Sequence, residues 1–183
     1  AFSELFEPRT SVLPVSTGTV ANSIALAAVT PPWGSVFCHR NAHILNDESG
    51  APEFFGNGLR LVPVDGAEGR FTADALQRTI RATEGHGVHS YQASAVSLTQ
   101  ATESGTVYQP GELASICEAA AGHGLAVHLD GARFGNAVAA LGCRPADVTW
   151  RAGIQLLSFG ASKNGCLAAE ALLIFHDRLR GGR

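Results

Sequence analysis

The chain has 183 residues, near the ~100–200 of a single domain. Hydrophobic residues make up 45%, enough for a sizeable core and too many for intrinsic disorder, while charged residues reach only 16% against the ~25% of an average globular chain. A net charge of −3 with no Lys/Arg run argues against nucleic acid or an anionic membrane as partner.

AFSELFEPRT (1–10) begins like a helix already under way, and the chain is expected to be a piece of a longer protein. TVANSIALAAV (19–29) reads as a helix with Thr17 or Gly18 near its N-cap and Pro31-Pro32 closing it. SVFCH (35–39) and LRLVPV (59–64) read as buried strands, TADALQRTIRAT (72–83) as a helix and AVSLTQ (95–100) as a strand. PGELASICEAAAGHG (110–124) is the cleanest helix, opened by Pro110, with Leu113, Ile116, Cys117 and Ala120 at i, i+3, i+4, i+7. LAVHLD (125–130) is a strand, ARFGNAVAAL (132–141) a helix and PADVTWRAG (145–153) a shorter helix. IQLLSFG (154–160) and EALLIFH (170–176) finish as apolar strands. Apolar strands alternating with amphipathic helices imply an α/β fold, a mostly parallel sheet with helices on both faces.

No stretch approaches the ~18 apolar residues of a membrane span. Cys38, Cys117, Cys143 and Cys166 lack any CxxC spacing, so they read as buried small apolar groups of a cytoplasmic protein rather than zinc ligands or disulfides. The low charge implies a surface partly covered by another domain or subunit.

Ligands of such sheets bind outside the carboxyl ends of the strands. Three polar features stand there. Asp130 follows an apolar strand, with Gly131 permitting a sharp turn and Arg133 just beyond. Lys163 lies in the Ser/Gly-rich turn after another strand, where a lysine can lose its proton and attack a carbonyl. STGTVAN (16–22) opens the first long helix, and its amides with the Thr17 and Thr19 hydroxyls suit a phosphate. Singly these could be a helix N-cap, a solvated lysine and a cap. One ligand uses all three at once: pyridoxal phosphate has an aldehyde for the lysine, a ring nitrogen for the carboxylate and a phosphate for the helix.

HLDGARFGNA (128–137), SFGASKNG (158–165), STGTVANSIAL (16–26) and NAHILNDESGAPEFFGNG (41–58) resemble the threonine aldolase family, of the aspartate-aminotransferase-like fold of pyridoxal-phosphate enzymes. TQATESGTVYQP (99–110) and LGCRPADVTWRAGI (141–154) resemble its low-specificity L-threonine and phenylserine aldolase branch. The resemblance implies that residues 1–183 form the large, cofactor-binding domain, with an N-terminal segment and a C-terminal small domain elsewhere in the protein. It implies Lys163 as the Schiff-base lysine and Asp130 as partner of the pyridinium nitrogen. Arg133 would lie near the cofactor's phenolic oxygen and the substrate carboxylate, with Gly18, Thr19 and Asn22 at the phosphate. His43 matches a histidine that stacks on the ring near the substrate hydroxyl, and Glu48 falls at an acidic position close behind. The implied activity cleaves the Cα–Cβ bond of a β-hydroxy-α-amino acid (L-threonine, L-allo-threonine or phenylserine) to glycine and an aldehyde. The implied assembly is a homodimer or homotetramer.

Two roles stay open. His43 is the first choice for the base at the β-hydroxyl, because imidazole titrates near neutral pH, with stacking alone as the alternative. Relatives carry a second histidine in the segment matching 99–105, where Thr102 is nearest here and is taken as a substrate contact. His128, two residues before Asp130 on one strand face, is expected to support it by a hydrogen bond. Cys38, His39 and His43 are not expected to hold a metal. His86, His89 and His123 read as solvated, and Trp33, Trp150, Phe54 and Phe55 as core or subunit contacts. Rival readings are a β-eliminating lyase or aminotransferase on the same scaffold, a nucleotide-binding domain (disfavoured, since no GxGxxG or P-loop follows a strand), and an inactive cofactor-binding fragment.

Overall fold

A computed structural model describes residues 2–7, 10–83 and 87–175. Its centre is a seven-stranded sheet in the order β1-β7-β6-β5-β4-β2-β3. The strands are β1 (Ser11–Val15), β2 (Gly34–His39), β3 (Arg60–Val64), β4 (Gln92–Thr99), β5 (Ala126–Gly131), β6 (Leu156–Gly160) and β7 (Glu170–Ile174). The run β3-β2-β4-β5-β6 is parallel throughout, and β7 enters antiparallel between β6 and β1. The mostly parallel expectation holds.

Strand alternation sorts the two faces. Phe37, Val96, Leu98, Val127, Leu129, Leu157 and Leu173 point into the larger core, covered by α5 (Ala73–Thr83), α6 (Pro110–Gly122) and α7 (Phe134–Leu141). Leu76, Ile80, Leu113, Ile116 and Phe134 are the helical contributions. On the other face, Val36, Cys38, Ala95, Leu156 and Leu172 meet α2 (Gly18–Val29) through Ala25 and Leu26. That face also carries Ser97, His128, Asp130 and Ser158, all buried. A polar stripe is tolerable beneath α2 only because each group finds a hydrogen-bond partner.

Thr17 caps α2, its hydroxyl oxygen accepting from the Val20 amide at 3.2 Å. The opening helix α1 (Phe2–Phe6) seats the fully buried Phe6 ring against Phe134, Phe159 and Phe175. The segment 145–153 forms two 3₁₀ turns, Pro145–Val148 and Trp150–Ala152, rather than one helix. Gly153, at φ +104°, follows the second turn.

Two cysteine expectations change. Cys38 and Cys117 are buried, but Cys143 is only half-buried and Cys166 is exposed in the turn after Lys163. Trp33, Phe54 and Phe55 are exposed on this chain, so they are not core, whereas Trp150 is half-buried and donates its indole N–H to the Phe6 carbonyl. His89 and His123 are exposed, and His86 lies outside the described residues. No helix among the described residues is long and apolar enough to cross a membrane.

Candidate active site

Past the carboxyl ends of the parallel strands, four segments converge. His43 follows β2 in the short helix α3 (His43–Asn46), Glu103 follows β4, Asp130 ends β5 and Lys163 follows β6. All four line one cavity of about 190 Å³, an order of magnitude beyond the ~10–15 Å³ that holds a single water. Gly18, Thr19 and Asn22 from the first turns of α2, and Arg133 from the turn after β5, line it too. Seven of the eight site residues expected from the sequence therefore share one wall-to-wall space.

Asp130 is held at both carboxylate oxygens. Its side chain is buried, the residue being 4% exposed. Oδ1 accepts from the Ala132 amide at 3.0 Å and Oδ2 from the Asn22 side-chain amide at 3.0 Å. It is not the N-cap of α7, which begins after Arg133 with no side-chain cap. Glycine at 131 is required, since a Cβ there would meet Leu157 Cδ1 at 2.6 Å and the Ser158 carbonyl oxygen at 2.8 Å.

Asn22 corrects one expectation. It lines the cavity, yet Nδ2 donates to Glu48 Oε1 at 2.8 Å as well as to Asp130, so both amide hydrogens go to carboxylates rather than to an anion at the helix mouth. Thr17 likewise uses its hydroxyl as the α2 cap, leaving Gly18 and Thr19 as the residues that face the cavity. Glu48 bridges onward, its Oε1 lying 2.9 Å from His43 Nδ1. Asp130, Asn22, Glu48 and His43 thus form one buried polar chain.

Thr102 does not line the cavity. Its hydroxyl pairs with that of Thr106 at 2.8 Å and reaches the Glu68 carbonyl at 3.4 Å, because the turn is closed by these contacts. The next residue, Glu103, faces the cavity instead. Sequence reading missed it, together with Ser162 and Glu170. The available signal was position alone: a polar residue just beyond a parallel strand end.

His128 supports the site less directly than expected. Nδ1 lies 2.9 Å from Ser97 Oγ and Nε2 lies 2.8 Å from Ser158 Oγ, so both ring nitrogens tie β5 to its neighbours rather than to Asp130. Complete burial pulls its pKa down to about 4, against a smaller upward pull from Asp130. His39 is held at both nitrogens by backbone, Nδ1 accepting from the Asn41 amide and Nε2 lying 3.2 Å from the Gly66 carbonyl.

A covered parallel sheet whose strand ends bring a lysine, a buried carboxylate and a helix N-terminus to one cavity has the layout of a cofactor-binding α/β domain. The sequence matches the beta-eliminating lyase family over residues 1–180, and the chain belongs to that family, whose members depend on pyridoxal phosphate. It is similar to the low specificity L-threonine aldolases of Pseudomonas sp. (strain NCIMB 10558) and Pseudomonas aeruginosa, at 43% and 45% identity over 178 residues. Each alignment covers 97% of this chain and 51% of the relative, so the chain spans about half the length of the curated relatives it matches. In structure it is similar to the threonine aldolase of Leishmania major, with a TM-score of 0.86 and 30% identity over 97% of this chain and 51% of that one. The family resemblance read from the motifs is borne out.

Proposed function

We propose that the protein carrying this chain is a pyridoxal-phosphate-dependent aldolase that cleaves threonine, allo-threonine or phenylserine to glycine and an aldehyde. The observation that carries this reading is that Lys163 and Asp130, from neighbouring strands β6 and β5, line the same cavity. The similarity to two low specificity L-threonine aldolases supports the choice of reaction.

The residues present fit the cofactor. The α2 mouth is open at Gly18, where an added Cβ would find only Glu170 Oε2, at 3.7 Å, and the helix dipole there favours an anion. Lys163 supplies an amine and Asp130 a fixed negative charge. When bound, pyridoxal phosphate supplies the electron sink that lets a bond at the substrate α-carbon break.

Each residue then has a physical task. Lys163 would hold the cofactor through its aldehyde. Asp130 keeps a proton on the ring nitrogen, and its two hydrogen bonds fix its direction without reorganisation during reaction. Gly18 and Thr19 bind phosphate through the first amides of α2. Arg133 attracts the substrate carboxylate. His43, fixed at Nδ1 by Glu48, orients the ring and closes the wall beside the substrate. The homodimer or homotetramer belongs to this proposal, and the exposed Trp33, Phe54 and Phe55 are surfaces consistent with it.

The test uses the full-length protein mixed with pyridoxal phosphate. A visible absorbance band is expected, abolished by Lys163→Ala, with glycine and aldehyde released from threonine or phenylserine. A band that survives Lys163→Ala removes the assignment, and keto acid with ammonia as products replaces the aldolase with a β-eliminating lyase.

A further inference from the structure

We propose that Glu103 is the catalytic residue that takes the proton from the substrate's β-hydroxyl group, and that the turn carrying it is built to aim it there. This rests on the aldolase reading above. Glu103 lines the cavity with Lys163, Asp130, Arg133 and His43, yet none of the tasks just described uses it.

The turn between β4 and α6 is closed on itself. Gln100 Nε2 donates to the Tyr108 carbonyl at 2.9 Å and the Tyr108 amide returns a bond to Gln100 Oε1 at 2.9 Å. The Thr106 hydroxyl donates to the Glu68 carbonyl at 2.7 Å and its amide donates to Thr102 Oγ1 at 3.2 Å. Gln100, Thr102 and Thr106 thereby spend their side chains on closing the turn and tying it to Glu68. Glu103 is the one directed at the cavity.

The other acids of the cavity are already engaged or lie elsewhere. Asp130 accepts from Asn22 and Ala132, and Glu48 accepts from Asn22 and bonds His43. Glu170 sits beside Gly18, at the α2 mouth. The backbone amides of Glu103 itself and of His43 favour its ionised form, and no side chain among the described residues hydrogen-bonds to it. Its carboxylate therefore keeps lone pairs free toward the cavity.

The surroundings of Glu103 act on its ionisation in opposing directions. Asp130 of β5 repels the ionised form and Arg133 attracts it, the His43 backbone amide stabilises it, and Glu48, Lys163 and Glu170 line the same cavity. Burial outweighs the rest and raises the carboxyl above its ordinary range. The step balances. The O–H bond breaks, its proton forms a new O–H bond on Glu103, and the oxygen pair becomes the carbonyl of the departing aldehyde. The Cα–Cβ pair stays with the α-carbon, and the same proton returns in the condensation direction.

The experiment compares wild type, Glu103→Gln and Glu103→Ala in the full-length protein loaded with pyridoxal phosphate. Cofactor affinity and absorbance are expected to match wild type in both variants. Threonine cleavage is expected to lose 10²-fold or more in kcat with KM little changed, on the order of a removed general base. Added formate is expected to restore part of the rate in Glu103→Ala, and Glu103→Gln to lose the acidic limb of the kcat pH profile. Cleavage by Glu103→Gln within about threefold of wild type overturns the assignment, as does loss of cofactor binding in step with activity, which would mark a structural role. A wild-type protein that binds no cofactor sinks the aldolase reading and this assignment with it.

Discussion

Asn22 on α2 and Asp130 at the end of β5 lie 108 positions apart in sequence and meet through a 3.0 Å hydrogen bond beneath the helix. The same Asn22 nitrogen donates to Glu48 at 2.8 Å. Two buried carboxylates therefore share one neutral amide as their common donor. Asn22 Oδ1 and Glu48 Oε2 are left without partners among the described residues, so this polar chain is not fully satisfied.

Replacing Asn22 with Leu should cost about 3 kcal/mol in urea unfolding, because both carboxylates lose a charge-assisted bond while staying buried. Asn22→Asp should be worse at pH 7, since it sets a third carboxylate beside the other two. Like-charge repulsion raises the proton affinity of that group, so the Asp variant should recover part of its stability between pH 7 and pH 5 and lose it again as pH rises. Equal unfolding midpoints for Asn22→Leu and wild type would show that the amide carries no weight there.

The same pair marks where sequence reading stops. The apolar runs of β4, β5 and β6 and the periodicity of α6 were legible because each element's burial is written in its own residues. Strand β1 was not, since Pro14 interrupts a five-residue segment that pairs only with β7 at the sheet edge. Helices α3 and α4 (Ala51–Phe55) lay in a Gly/Asn-rich stretch with no period to read. Lys163 and Asp130 announced themselves by following apolar strands. The partners of Asn22 did not, because nothing local ties residue 22 to residue 130. Thr102, the residue expected at the site, is instead turned into contacts with Glu68, again a distant segment, and Glu103 beside it faces the cavity.

His128 makes stability depend on pH in a calculable direction. Its pKa is about 4 in the folded chain against the ordinary 6.5, so between these values the unfolded chain binds the extra proton. Stability then rises with pH across this window: the contribution is complete above pH 6.5 and is lost as pH falls toward 4. The difference corresponds to roughly 3 kcal/mol. Carboxylates act in the same direction, so the informative quantity is the slope relative to a variant. His128→Asn should be less stable at pH 7, having given up one of two serine contacts, yet show a shallower decline of the urea midpoint from pH 7 to pH 4.5. Parallel declines would mean the ring is protonated in the fold.

Thiol chemistry should separate the four cysteines. Burial pushes the Cys38 and Cys117 thiols up to about 12. At pH 8 such a thiol is ionised to about one part in 10⁴, against roughly a fifth to a tenth for an ordinary cysteine, and the thiolate is the reacting species. Cys166 is exposed and three residues past Lys163, while Cys143 is half-buried, with burial first and Asp147 second raising its thiol. Ellman's reagent should therefore modify Cys166 first and Cys143 more slowly, and reach Cys38 and Cys117 only at the rate of unfolding. Cys166→Ser should remove the fast phase alone. Pyridoxal phosphate should slow that phase in wild type if the proposed attachment to Lys163 holds, since it would restrain the turn on which Cys166 sits. A fast phase indifferent to saturating cofactor would place Cys166 outside the reach of whatever Lys163 binds.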